Sequence, residues 1–143
     1  MQHILAIDQS TSATKALVFD TAGAVVASAS VAHQQHYPRP GWVEHDAEEI
    51  YRNTLTAIGD ALHSAGGSGE DLLCVSIANQ RETFVVFDRA TGRPLHNAIV
   101  WQCRRGSEVC RDLIERGCED EVRGITGLQV DTYFSASKIK WLL

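Results

Sequence analysis

No run of about 18 consecutive apolar residues occurs in the chain, so it offers no membrane-spanning helix. Met1-Gln2-His3 carries no basic region, and no cleavage site follows, so a secretory leader is not expected. The four cysteines, Cys74, Cys103, Cys110 and Cys118, form no CxxC pair and match no zinc spacing. Free thiols in a reducing cytoplasm are expected instead. No Asn-x-Ser/Thr acceptor occurs, and no GxxxxGK[ST] phosphate loop. Internal repeats are absent, and the only glycine-rich stretch is Gly66-Gly67-Ser68-Gly69. Positive charge is the minority: 13 basic against 18 acidic residues gives −5, which disfavours a nucleic-acid surface. Arg104 and Arg105, with Arg111, Arg116 and Arg123, could locally meet a phosphate. Equally, they could form a solvated helix face laced with Glu108, Asp112 and Glu115.

What is present is ordinary globular composition, 44% hydrophobic and 22% charged in 143 residues, enough for one domain with a real core. Ile4 to Ile7 reads as a buried strand, Asp8 to Thr14 as a turn and Ala16 to Phe19 as a second strand. After the turn Asp20 to Gly23, alternation from Val25 to His33 predicts a third, giving an antiparallel meander. Two prolines and a glycine keep Tyr37 to Trp42 irregular. Asp46 is the expected N-cap of a helix to about Ser64, with Glu49 completing a capping box. Leu72 to Ala78 is the next strand, then Phe84 to Asp88 and Ala98 to Trp101 around a turn at Ala90 to Pro94. Arg105 to Arg116 is an amphipathic helix stopped by Gly117, Asp120 to Gly124 a short helical turn, and Ser135 or Ser137 opens a last helix. This order predicts an α/β layer fold with a mixed sheet.

Four constellations could carry chemistry. Asn79-Gln80-Arg81-Glu82-Thr83 sets a fixed cation and a fixed anion directly after an apolar run. On an extended chain Arg81 and Glu82 would point to opposite faces. Arg supplies a planar fork of donors and ionised Glu supplies acceptors only, and a compact polyol needs both. An ordinary surface ion pair is the alternative. Asp8 to Lys15 combines turn amides, which suit anions, with the hydroxyls of Thr11, Ser12 and Thr14 and the charge of Lys15. Asp8 could hold Mg²⁺, which takes one or two carboxylates beside phosphate oxygens. A Ser/Thr-rich hairpin turn accounts for this stretch equally well. Trp101 at a strand end could floor a ligand pocket or simply fill the core. Tyr133, in the polar loop Asp131 to Ser135, could donate to a ligand hydroxyl, or the loop could only cap a helix. His33, His36 and His45 lack the partner spacing of a metal site.

Together Ile7 to Thr11, Tyr37 to Asp46, Asn79 to Thr83, Asn97 to Arg105 and Tyr133 to Trp141 resemble the N-terminal domain of the FGGY carbohydrate kinases, and among them the glycerol kinases. The resemblance covers nearly the whole chain. It implies an actin-like, ribonuclease-H-like fold, with residues 1–143 as the N-terminal part of a two-domain kinase. It implies ATP as cosubstrate, Mg²⁺ as cofactor, glycerol or a related polyol as acceptor, and a homo-oligomer at full length. Asp8 would stand near Mg²⁺, and Thr11, Ser12, Ala13 and Lys15 at the nucleotide phosphates. Arg81, Glu82 and Tyr133 would bond the substrate hydroxyls, with Trp101 lining their pocket.

Ser10 replaces a usual family Gly, and Ala13-Thr14-Lys15 replaces Ser-Ser-Arg, which keeps a charge but loses a bidentate fork. The resemblance puts the general base, an Asp, beyond Leu143, so the 143 residues alone are expected to be inactive. Another polyol or a ketose such as xylulose is the alternative acceptor, and a non-catalytic glycerol-binding module the alternative role.

Overall fold

A computed structural model describes residues 2–143. Backbone contacts divide the chain into two compact units. One comprises the chain up to Gln34 with Asp46–Gln80; the other comprises Gln35–His45 with Arg81–Leu143.

The first unit is a four-stranded sheet backed by one helix. Strands β1 (His3–Gln9), β2 (Ala13–Phe19) and β3 (Val25–Ala32) form the expected antiparallel meander. Helix α1 (Ala47–Ser64) carries the chain across, and β5 (Leu72–Asn79) returns parallel to β1, giving the order β3-β2-β1-β5. The sheet is therefore mixed, as the alternation of elements predicts. Strand β1 runs two residues further than its apolar stretch, because Asp8 and Gln9 still pair with Lys15 and Thr14. Backbone pairing does not need apolar side chains, so only Ser10 to Ser12 turn.

Helix α1 buries Ala57 and Ala61, four apart on one face, against Leu5, Ile7, Ala16 and Val18. Each fully buried Leu, Ile or Val contributes about 1.5–3 kcal/mol. The cap is Asp46, whose carboxylate accepts from the Glu48 amide at 2.9 Å. The predicted capping box does not close: Glu49 Oε1 accepts from the Gln34 amide at 2.8 Å and so ties the helix to the end of β3. Val75 and Ile77 of β5 lie in register with the buried Leu5 and Ile7, yet are 52% and 67% exposed. Helix α1 packs chiefly on β2 and β3, which leaves this edge strand bare.

The second unit is built on a short antiparallel pair, β4 (Glu44–His45) with β6 (Ala98–Ile99). Phe84 extends it by exchanging both backbone bonds with Ile99. The expected strand from Phe84 to Asp88 reduces to this bridge and one between Phe87 and Pro94. Beyond it Asp88 turns the chain, accepting from the Ala90 and Thr91 amides and the Thr91 hydroxyl. Strand β4 escapes prediction because Glu-His after a proline-rich stretch carries no strand pattern. Val43, Ile99, Val100 and Cys103 form the core.

Helices α2 (Ser107–Glu115), α3 (Glu119–Thr126) and α4 (Ser135–Leu142) complete this unit. The Arg105-to-Arg116 solvated face is only partly realised. Arg116 and Asp112 do form an exposed pair at 3.2 Å, but Arg105 is wholly buried against Glu44. Ser135 opens α4, one of the two expected starts, and Ser137 is buried inside it. Gly106 touches α4 closely enough that a Cβ there would lie 2.8 Å from Ser137 Cβ and 2.9 Å from its backbone carbon. Gly106→Ala is expected to destabilise the protein by about 1–3 kcal/mol through overpacking, read as a lower urea midpoint. An unchanged midpoint would show that α4 moves aside freely.

Candidate functional site

In the first unit, Asp8 and Lys15 sit directly opposite each other on β1 and β2, both exposed. The turn between them is closed by Ser10, whose amide and hydroxyl both donate to the Ala13 carbonyl, at 3.0 and 2.8 Å. Thr11 and Ala13 are half-buried and Ser12 is exposed. Thr14 is not available as a hydroxyl donor to a ligand. It is completely buried, and its Oγ1 lies 3.0 Å from His33 Nε2 and 3.3 Å from Thr54 Oγ1.

His33 Nδ1 lies 3.1 Å from Asn53 Nδ2, and its Nε2 lies 3.0 Å from Thr14 Oγ1 and 3.4 Å from Gln9 Nε2. Thr14 can donate to Thr54, and Thr54 donates to the Ile50 carbonyl at 2.8 Å. Burial holds the His33 pKa below 6.5, against a smaller upward pull from Glu49. The unfolded chain thus takes up a proton that the folded chain refuses. Stability is full above 6.5 and falls as pH drops through 6.5 towards the lower folded value. Unfolding midpoints at pH 7.5 and about 5.5 should differ in this direction, and the difference should shrink in His33→Gln. An equal pH response in that variant would sink the assignment.

Among the described residues no group of three or more His, Cys, Asp or Glu side chains could cage a metal. A single exposed carboxylate such as Asp8 still fits Mg²⁺, which keeps several waters and takes other oxygens from substrate phosphates.

In the second unit, Trp101 and Tyr133 come together. Their rings meet edge to face at a centroid distance of 5.6 Å, and Tyr133 makes a like contact with Phe134 at 5.1 Å. Both line a cavity of about 390 Å³, with Gln102, Arg104, Ser107, Asp131 and Thr132. The Trp101 amide donates to Thr83 Oγ1 at 3.1 Å, which sets the indole beside the segment that carries Arg81 and Glu82. The Tyr133 amide donates to Asp131 Oδ1 at 2.6 Å, an Asx turn that shapes the loop.

Arg81 and Glu82 are not extended and are not an ion pair among the described residues. Strand β5 ends at Asn79, and Glu82 has φ 64°, the one left-handed non-glycine among the described residues. A long side chain there is strained, and such strain clusters at functional sites. Ser135 holds it: its amide and hydroxyl donate to Glu82 Oε2 at 2.9 and 2.8 Å, and the hydroxyl lies 3.0 Å from the Glu82 carbonyl. These bonds, with the nearby charges of Lys138 and Arg81, hold the Glu82 carboxyl below its ordinary pKa. Arg81 is exposed. Neither Arg81 nor Glu82 lines the cavity of Trp101 and Tyr133.

Sequence reasoning gave no role to Lys138, which is fully buried. Its Nζ donates to the carbonyls of Thr132 at 2.8 Å, Tyr133 at 2.9 Å and Trp101 at 3.4 Å. Burial lowers its pKa, while three acceptors match the three N–H bonds of the ammonium and favour the charged form. The available signal was Ser135-x-x-Lys138, a spacing that puts both on one helix face.

The chain matches the FGGY family of carbohydrate kinases, N-terminal domain, over residues 3–143. It belongs to that family. Glycerol kinase 1 of Thermotoga maritima is 50% identical over 141 residues, 99% of this chain and 29% of the relative. A glycerol kinase of Delftia acidovorans is 50% identical over 143 residues, again 29% of its length. The chain thus spans under a third of the curated relatives it matches. Among solved structures, Plasmodium falciparum glycerol kinase with ADP superposes with a TM-score of 0.89 at 37% identity, covering 99% of this chain and 28% of that one. The fold is accordingly the actin-like α/β fold of the FGGY kinases. Ser10, where the FGGY pattern has Gly, does not adopt a left-handed conformation, so the substitution carries no backbone strain.

Proposed function

We propose that this chain supplies the polyol-binding part, and some of the phosphate-binding part, of an ATP-dependent glycerol kinase. The reaction transfers the γ-phosphate of ATP to a terminal hydroxyl of glycerol, giving glycerol 3-phosphate. The observation that carries this reading is the meeting of Trp101 and Tyr133 on one polar-lined cavity. Curated relatives at half identity that are named glycerol kinases support it over a ketose kinase.

Arg81 would donate to hydroxyl oxygens while Glu82 Oε1 accepts hydroxyl protons, since Oε2 is occupied by Ser135. Tyr133 would hydrogen-bond a further hydroxyl, and the Trp101 ring would cover the C–H edge. Thr11, Ser12, Ala13 and Lys15 would hold nucleotide phosphates, and Asp8 would hold Mg²⁺ directly or through water. The ion would offset charge on the phosphates. Positioning and charge stabilisation supply most of the catalysis in phosphoryl transfer, so these roles suffice without a covalent step on the chain. The base that takes the hydroxyl proton is assigned to none of these residues. An ATP-supplied, reducing compartment is consistent with four free cysteines and suits a cytoplasmic enzyme.

The test is ADP release by the longest form of the protein its gene encodes, with glycerol and with xylulose. Turnover that depends on glycerol and exceeds that with xylulose is expected. Turnover with xylulose alone would overturn the choice of substrate, and turnover with neither would overturn the kinase reading.

A further inference from the structure

The first turn of α4 bonds Glu82 and the backbone of Trp101 and Tyr133, without lining the cavity that those two rings share. Ser135 bonds Glu82 through both its amide and its hydroxyl. Three residues on, Lys138 bonds the carbonyl of Trp101 and those of Thr132 and Tyr133. We infer that Ser135 and Lys138 are positioning residues, which lock the carboxylate, the indole and the phenol into one arrangement for a polyol. The inference rests on the polyol reading above and adds specificity-setting residues to it.

The physical case has two parts. Glu82 is held in a left-handed backbone that an unsupported Glu would leave. The Ser135 hydroxyl touches both its carbonyl and its carboxylate, so it fixes backbone and side chain together. A buried ammonium bonded to three carbonyls is a rigid tripod, because all its donors are used and nothing replaces them if it is lost. Two of those carbonyls precede or belong to Tyr133 and the third belongs to Trp101. The two rings therefore share one anchor. Lys138 also makes no ion pair among the described residues, so its charge is spent on backbone geometry.

The experiment uses the longest form of the protein its gene encodes and compares wild type with Ser135→Ala, Ser135→Thr and Lys138→Met. Ser135→Ala should raise KM for glycerol roughly tenfold, the worth of one hydrogen bond to a charged group, with KM for ATP unchanged. Ser135→Thr, which keeps the hydroxyl, should restore it. Lys138→Met should raise KM for glycerol further, and its melting temperature shows whether it remains folded. Ser135→Ala decides the matter if it does not.

The pH profile separates positioning from mere structure. The groups facing Glu82 are Ser135, Lys138 and Arg81. Without the Ser135 hydroxyl its carboxyl should titrate nearer 4.5, and the acid limb of kcat/KM for glycerol should move up in pH. An unmoved acid limb with unchanged KM in Ser135→Ala, in an enzyme that phosphorylates glycerol, overturns this inference alone. A wild type that does not use a polyol overturns the functional reading and this inference with it.

Discussion

Replacing Arg105 by Met is expected to lower the unfolding free energy by about 3–5 kcal/mol, the loss seen when one partner of a buried ion pair is removed. The Arg105 side chain is wholly inaccessible, and its Nη2 lies 2.6 Å from Glu44 Oε1. Its Nε donates to Cys103 Sγ at 3.0 Å, and its guanidinium lies 4.2 Å from the Trp42 ring centre and 4.9 Å from that of Trp141. Burial pushes the Glu44 pKa up, but Arg105, with help from Asn97 and His96, more than reverses that and keeps it low. Met fills much of the volume yet leaves Glu44 charged, buried and bonded mainly by Asn97 at 3.0 Å. The loss should be read by denaturant unfolding, with the fluorescence of Trp42 and Trp141 as a local probe. Adding Glu44→Leu should return most of the stability, since a buried pair exchanged for apolar groups is often neutral. A single-variant loss below about 1 kcal/mol would mean that the pair sits in water, contrary to its burial.

That pair also shows where sequence legibility stops. Arg105 reads as one basic residue among several on an amphipathic helix, because composition cannot tell a solvated arginine from one clamped between two indoles. Trp42 and Trp141 lie 99 positions apart, and their edge-to-face contact at 5.0 Å is a tertiary fact with no local signature. The order of the meander, by contrast, was legible though the polar ends of β1 and β2 were not, since alternation in Val25 to Ala32 and the Asp20-to-Gly23 turn act locally. So was the start of α1, where Asp46 caps through the Glu48 amide two residues on. The partner of Glu49 was not, because that carboxylate had two amides to choose between and the more distant one won.

Arg81, Glu82, Trp101 and Tyr133 stand out as chemistry in the sequence because their side chains are unusual for their surroundings. The groups that hold Glu82, Trp101 and Tyr133 do not, since Ser135 and Lys138 act through backbone carbonyls and a bent chain at Glu82. The left-handed φ is invisible in Arg-Glu-Thr, a stretch with no glycine to announce it. Strand β5 was legible as apolar, but its Val75 and Ile77 remain largely exposed, so apolarity alone did not predict burial.

Glu82→Gly separates the two roles of that position, and its expected effect is the larger of any at the site. Glycine adopts φ 64° without strain, so the variant keeps the chain path that the carboxylate needs Ser135 to maintain. Loss of the Ser135 bonds offsets that relief, and overall stability should change by no more than about 1 kcal/mol. Binding is another matter. On the proposed polyol role the variant loses the ionised acceptor for a hydroxyl, and kcat/KM for glycerol should fall between about a hundredfold and ten-thousandfold. KM for ATP should stay put. Glu82→Gln should fall between wild type and Gly, since an amide oxygen can still accept from Ser135 but carries no charge. Steady-state kinetics in the longest encoded form of the protein give all three values. If Glu82→Gly kept kcat/KM within about threefold of wild type, the strained carboxylate would have no part in holding the polyol, and the strain would need another cause.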